Sequence, residues 1–158
     1  MAELLSDKVI GRIDQAAELY HRLVVLVAPA GAGKTAALQD VHERTGAPLL
    51  NINLELSRRM LELTERQRAL QLPRLLSEMV SAAQADVVLL DNIEVLFDIS
   101  LKQDPLRLLQ GLSRNKTVVA AWNGSVDRGH MVYATPDHPE YKRYAVRDFL
   151  VVNAETPA

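Results

Sequence analysis

The stretch LVVLVAPAGAGKTA, residues 23–36, decides the fold. It opens with five aliphatic residues, 23–27, a pattern typical of a strand that is buried on both faces of a parallel sheet. Two glycines follow, Gly31 and Gly33, and a helical pattern begins directly after them at Lys34. A strand, a glycine-rich turn and a helix in this order predict a loop that wraps a phosphate group.

This loop matches the Walker A pattern, except that Ala28 takes the place of its first glycine. Gly31 and Gly33 permit the close backbone approach that wrapping a phosphate requires. We expect the Lys34 ammonium to reach the β- and γ-phosphates and the Thr35 hydroxyl to bind Mg²⁺. The sequence therefore predicts a site for ATP and Mg²⁺ built from consecutive residues: Ala28, Pro29, Ala30, Gly31, Ala32, Gly33, Lys34, Thr35 and Ala36.

A second apolar run, residues 86–91, ends in a carboxylate and reads as a Walker B strand. The carboxyl ends of parallel strands meet at one edge of a sheet, so Asp91 is expected to meet Mg²⁺ directly or through water. The alternative is a surface aspartate that caps the next turn. Thr35 and Asp91 are the predicted metal ligands.

The general base is less clear, because Asn92 follows Asp91 where many hydrolytic relatives carry glutamate. An amide cannot take a proton from water. Glu94 lies just beyond the predicted metal ligand, and Glu55 lies near the end of a predicted strand at 48–54, where RecA-like ATPases carry their catalytic glutamate. Each could equally be a solvated carboxylate, and we prefer Glu94 slightly. Without a well-placed base, turnover is expected to be slow.

A polar residue, Asn123, ends a fourth apolar stretch that begins at Thr117. Its place resembles the sensor position of AAA+ and related ATPases, where an amide orients water or reads the γ-phosphate. The alternative is a turn formed by Asn123 and Gly124. The candidate catalytic residues are Lys34, Asp91, Glu94, Glu55 and Asn123.

Strand and helix patterns alternate along the chain and predict an α/β, three-layer P-loop NTPase fold with a mainly parallel sheet of about five strands in AAA+/RecA-like order. Residues 1–158 are expected to form one domain with no C-terminal helical lid. The segment 1–21 is expected to hold an N-terminal helix, and 124–143 an irregular insertion before the last strand. The predicted helices span residues 8–21, 34–44, 57–84 with a break at Pro73, and 105–114; the predicted strands span 23–27, 48–54, 86–91, 117–121 and 144–152.

Composition limits the partners. The chain has no cysteine, which excludes disulfides and cysteine zinc sites. Its formal net charge is −2, so contact with DNA is possible but not evident from the charge. No signal-peptide pattern and no apolar run of about 20 residues is present, and we expect a cytoplasmic protein without a membrane partner.

Sites of this kind are often completed by an arginine from a neighbouring subunit. Arg114, Arg128 and Arg143 are the candidates, and the sequence does not choose among them. We therefore expect a homo-oligomer.

Four stretches together resemble one specific family: PLLNINLELSRR at 48–59, LLDNIEVLFD at 89–98, QDPLRLLQ at 103–110, and residues 133–141 with their HPEY ending. They resemble the small P-loop ATPase of type 3 BREX phage-defence systems, sometimes called the F component. The resemblance covers nearly the whole chain. It implies a bacterial cytoplasmic defence complex with a large ATPase, a DNA methyltransferase, a helicase and a phosphatase-like protein. It also implies that residues 91–94 are the family's own form of Walker B.

The preferred function is an ATP-hydrolysing subunit whose nucleotide state controls assembly or DNA-associated activity. One alternative is a nucleotide-dependent scaffold or switch that does not hydrolyse ATP, and the absence of glutamate after Asp91 favours it. A small-molecule kinase is the weaker alternative, because a kinase needs an arginine-rich lid and a substrate pocket, and the region after Asn123 is short and irregular in pattern.

Overall fold

The computed structural model describes residues 4–153, and its main element is a five-stranded parallel sheet. The strands of the protein, in chain order, are β1 (Leu23–Ala28), β2 (Leu49–Asn51), β3 (Val87–Asp91), β4 (Thr117–Asn123), β5 (Ser125–Asp127), β6 (His130–Tyr133), β7 (Lys142–Ala145) and β8 (Leu150–Asn153). The large sheet has the order β2-β3-β4-β1-β8, and every neighbouring pair is parallel. This confirms the predicted α/β fold with a mainly parallel sheet of five strands.

Helices cover both faces of this sheet. They are α1 (Leu5–Ala16), α2 (Lys34–Thr45), α3 (Ile52–Met60), α4 (Glu65–Ala82) and α5 (Pro105–Leu112). Successive side chains of β1 alternate between the faces, so Val24 and Leu26 pack with α1 and α2, whereas Val25 and Val27 pack with α3, α4 and α5. Three layers result, as predicted.

The predicted strand at 48–54 was too long. Strand β2 ends at Asn51, whose side-chain Oδ1 accepts a hydrogen bond from the Leu54 backbone N–H at 3.1 Å. Asn51 is therefore the N-cap of α3. An asparagine that caps in this way gives the backbone a local partner and turns the chain from strand into helix.

The predicted helix break at Pro73 was wrong, because Pro73 lies inside α4. The two helices separate earlier, and α4 begins with a capping box in which Thr64 and Gln67 bond each other's backbone N–H groups. Proline leaves the carbonyl four residues before it without its usual helical donor. That carbonyl belongs to Ala69, and it accepts a hydrogen bond from Gln103 Nε2 at 2.8 Å.

The segment 124–143 is not an irregular insertion. Strands β5, β6 and β7 form a separate antiparallel sheet in the order β5-β6-β7. The predicted last strand at 144–152 was likewise wrong, since β7 pairs with β6 while β8 pairs with β1. The chain must turn between the two sheets, and Asp148, with φ +62°, lies in that turn.

The other boundaries differ by smaller amounts. Helix α1 ends at Ala16 rather than at residue 21, and residues 1–3 of that predicted segment lie outside the described part of the chain. Asp104 caps α5 and Pro105 occupies its first turn. Within residues 4–153, no helix combines the length and the hydrophobicity needed to cross a bilayer.

Candidate nucleotide-binding site

The loop between β1 and α2 has the backbone that its glycines predict. Gly31 and Gly33 have φ angles of +80° and +93°, in the left-handed region that a side chain would strain. Gly33 is the N-cap of α2, and the first turn of this helix carries no acidic side chain. Unpaired N–H groups and partial positive charge at such a helix start form a site for an anion.

Lys34 is buried, with 7% of its surface exposed. Its Nζ donates to the carbonyl oxygens of Ala28 at 2.9 Å and Pro29 at 2.8 Å. Burial lowers the pKa of Lys34 below its ordinary value, and the negative charges of Glu94 and Asp91 oppose that lowering. A polyphosphate would give this ammonium a counter-charge that two neutral carbonyls do not supply.

The two predicted metal ligands touch each other. Thr35 Oγ1 donates to Asp91 Oδ2 at 2.7 Å, although the residues are 56 positions apart. The other carboxylate oxygen, Oδ1, accepts from the Asn92 backbone N–H at 2.9 Å. A hydroxyl and a carboxylate in the wall of one cavity fit Mg²⁺, which binds few protein oxygens and retains several waters.

Glu94 and Asn123 also contribute to the cavity walls. Asn123 Nδ2, at the end of β4, donates to Glu94 Oε1 at 2.9 Å. Glu94 opens a 3₁₀-helix, Glu94–Phe97, that follows β3. The cavity measures about 250 Å³, and its walls are formed by Ala30, Gly31, Gly33, Lys34, Thr35, Asp91, Asn92, Glu94, Ala121 and Asn123.

The remaining loop residues take other places. The carbonyls of Ala28 and Pro29 hold Lys34, and the Ala28 carbonyl also accepts from the Gly124 backbone N–H at 3.1 Å. Ala32 and Ala36 are exposed and are not among the residues that form the cavity walls.

Glu55 lies apart from this group. It occupies the first turn of α3, because β2 ends at Asn51 and not near residue 54. Its carboxylate is partly exposed and pairs with Arg58 at 3.6 Å. Glu55 does not contribute to the cavity walls. The prediction that it lies near the end of a strand, which made it a candidate general base, was wrong.

Asn53 supports the site but was not identified from the sequence. The Asn53 backbone N–H donates to the Asn92 carbonyl at 2.9 Å, and Asn53 Oδ1 accepts from the Val95 backbone N–H at 2.8 Å. Asn53 thereby fixes the turn between Asp91 and Glu94, in which Asn92 has a φ of +53°. Asn53 lies in the first turn of α3, whereas residue 53 was predicted from the sequence to lie within a strand that spans 48–54.

The three candidate arginines are spread over the surface. Arg114 lies before β4, at the sheet edge opposite the cavity, with its guanidinium 5.3 Å from the centre of the Tyr20 ring. Arg128, with φ +50°, forms the turn between β5 and β6, and Arg143 is exposed on β7. A role for any of them in the site of another copy stays a prediction.

The family model described as "ATPase family associated with various cellular activities (AAA)" matches residues 24–124. This is more than half of the chain and includes the phosphate loop, Asp91 and Asn123, and the chain belongs to this family. The order β2-β3-β4-β1-β8 is the AAA+ order that the sequence predicted.

Comparisons with curated proteins and with solved structures give less information about the chain. No curated protein matches the chain in sequence. Among solved structures, "Structure of C. elegans PCH-2" matches with a TM-score of 0.47 and 19% identity, over 98% of this chain and 42% of that one. The chain thus spans less than half of the PCH-2 chain.

Proposed function

We propose that this chain binds ATP with Mg²⁺ and hydrolyses the ATP slowly. The observation that carries the proposal is the convergence of Lys34, Thr35, Asp91 and Glu94 on one cavity at the carboxyl edge of the sheet. Membership of a family of ATPases supports the same reaction class.

Each side chain has a distinct role in this proposal. The turn at Gly31 and Gly33 directs main-chain N–H groups toward the phosphates, and Lys34 leaves its two carbonyl partners to pair with them. Thr35 and Asp91 hold Mg²⁺, which supplies neutralisation of phosphate charge when it is bound.

Glu94 is the general base in this proposal. One of its carboxylate oxygens accepts from the Asn123 amide, which fixes the side chain and leaves the other oxygen available to accept a proton from water. The Asn123 side chain lies at the end of β4 and orients both the Glu94 carboxylate and the γ-phosphate that reacts. Turnover is slow in this proposal because no arginine of residues 4–153 forms part of the cavity walls to neutralise the charge of the transition state.

The first experiment compares phosphate release by Glu94→Gln and Glu55→Gln. Positioned acid–base catalysis contributes about 10²–10⁴-fold, so Glu94→Gln should lose about that factor while Glu55→Gln stays within about twofold of wild type. The two variants are matched in chemistry, since each removes one carboxylate and keeps the shape. Equal rates in all three proteins would remove Glu94 from the mechanism.

A switch without hydrolysis is the second candidate, and Asn92 after Asp91 is the observation that favours it. ATP would then bind without phosphate release above the rate of a Lys34→Ala variant. Differential affinity for ATP and ADP would shift the binding of partners instead.

We further propose that the chain is a subunit of a bacterial, cytoplasmic BREX-type defence complex, with its nucleotide state controlling assembly or DNA-associated activity. The resemblance of residues 48–59, 89–98, 103–110 and 133–141 supports this setting. Assembly with further copies is supported by the cavity itself, since no arginine of residues 4–153 forms part of its walls.

A further inference from the structure

The small antiparallel sheet contacts Phe97 and Trp122 through the ring of Tyr133. The rings of Phe97 and Tyr133 are parallel within 8°, with their centres 3.6 Å apart. Trp122 meets both edge-on, at 4.9 Å from Phe97 and 6.2 Å from Tyr133. Such ring pairs contribute beyond the apolar area that they bury. We call Phe97, Trp122 and Tyr133 the aromatic cluster.

Two members of the cluster are close along the chain to Glu94 and Asn123, which form part of the cavity walls. Phe97 follows Glu94 by three positions in a 3₁₀-helix, in which side chains at i and i+3 lie on the same side. Trp122 directly precedes Asn123 in β4. The Phe97 ring therefore restrains the 3₁₀-helix that carries Glu94. The Trp122 ring restrains the backbone of β4 next to Asn123, whose side chain points to the opposite face of the sheet and donates to Glu94 Oε1.

Strand β6 holds the end of β4 from the other side. Trp122 Nε1 donates to the Val132 carbonyl at 3.1 Å. A Cβ atom placed on Gly124 would lie 1.8 Å from the same carbonyl oxygen, so the two strands approach as closely as glycine allows. Asn123 is thus bracketed by two residues that contact Val132, the neighbour of Tyr133.

We propose that Tyr133 is a positioning residue, whose ring holds Phe97 and Trp122 and thereby sets the geometry of the Glu94–Asn123 pair. We assign this role to the aromatic ring of Tyr133 and not to its hydroxyl. Burial, with the negative charges of Glu140 and Glu94, raises the pKa of Tyr133 to about 12, so the hydroxyl keeps its proton near neutral pH. The consequence for ATP hydrolysis rests on the proposed function, whereas the geometric claim does not.

Tyr144 offers a matched control. It belongs to the same small sheet and meets Trp122 edge-on at 5.9 Å, but its hydroxyl donates to Asp104 Oδ1, on the loop before α5. Tyr144→Leu removes a ring that contacts Trp122 and leaves the stack of Tyr133 on Phe97 in place. Tyr144→Leu also loses the hydrogen bond to Asp104, the N-cap of α5, so a loss of stability alone should be at least as large in Tyr144→Leu as in Tyr133→Leu.

The first measurement needs no nucleotide. The side-chain amide of Asn123 is followed by ¹H–¹⁵N NMR, with its signal identified by its loss in Asn123→Asp. A hydrogen bond contributes about 1 kcal/mol, so Tyr133→Leu should raise solvent exchange of this amide about five- to tenfold. Tyr133→Phe, which keeps the ring, and Tyr144→Leu should both leave the exchange within about twofold of wild type.

The second measurement is steady-state ATP hydrolysis. Tyr133→Leu should lower kcat about tenfold or more with KM for ATP nearly unchanged, and Tyr133→Phe should restore the rate. Unchanged Asn123 exchange in Tyr133→Leu, or an equal change in Tyr144→Leu, would overturn the inference. If the wild-type protein released no phosphate, the proposed hydrolysis would fail while the amide measurement would still decide the role of Tyr133.

Discussion

At the scale of single residues, Lys34 shows how the site is prepared for its ligand. Its charged end is withdrawn from water and held by two neutral carbonyls at the end of β1. Burial disfavours the charged form, and for that reason the pKa of Lys34 lies below 10.5. Bound phosphates reverse the balance, so nucleotide binding and protonation of Lys34 should be coupled.

The coupling predicts a pH dependence of affinity. As pH rises toward the lowered pKa, a growing fraction of Lys34 is neutral, and affinity for ATP·Mg²⁺ should fall in the alkaline range below 10.5. Titration calorimetry between about pH 8 and 10 measures this, with Lys34→Arg as the control because guanidinium remains charged. An equally steep fall in Lys34→Arg would assign the effect to another group.

The lowered pKa of Lys34 also predicts how the stability of the nucleotide-free protein depends on pH. The folded protein releases the Lys34 proton at a lower pH than the unfolded chain does. The free energy of unfolding therefore rises with pH between the lowered value and 10.5, and the cost of burying the charge is fully present below that window.

At the scale of elements, the sequence correctly predicted those strands and helices that depend on neighbouring residues in the chain. The apolar run of β1, the glycines after it and the proline at the start of α5 were sufficient to place those elements. Long-range partners decided the rest. Pro73 remains helical because Gln103, 34 positions from Ala69, bonds the carbonyl that the proline leaves open.

The site divides in the same way. The placement of Lys34, Thr35 and Asp91 at one cavity was predictable, since a phosphate loop and a carboxylate strand have fixed spacing to their elements. Glu94 and Glu55 could not be separated from the sequence, because the choice depends on where β2 ends and on which carboxylate faces Asn123. The antiparallel sheet was not predicted, because its three strands are short. The turn between β5 and β6 depends on residues with positive φ angles, such as Arg128, which the sequence does not mark as a turn.

At the scale of the whole molecule, the cavity opens at the edge of the sheet and its walls include no arginine of residues 4–153. A second copy that supplied one would place the shared site between subunits. We therefore predict a larger solution mass with ATP and Mg²⁺ than with ADP or without nucleotide. Multi-angle light scattering measures this, and Lys34→Ala should remain at the smaller mass throughout. Identical masses in all conditions would argue against nucleotide-gated assembly.

The most direct test of the account is the affinity of the phosphate loop itself. A non-hydrolysable ATP analogue with Mg²⁺ is titrated by calorimetry into wild type, Lys34→Ala and Lys8→Ala, a lysine substitution on α1 that leaves the loop intact. Hydrogen bonds from a charged donor contribute about 1.5–3 kcal/mol, so Lys34→Ala should bind about 10- to 100-fold more weakly while Lys8→Ala matches wild type. Thermal unfolding verifies that all three proteins are folded. Equal affinity in wild type and Lys34→Ala, or no binding to wild type, would contradict the assignment of this turn as a triphosphate site.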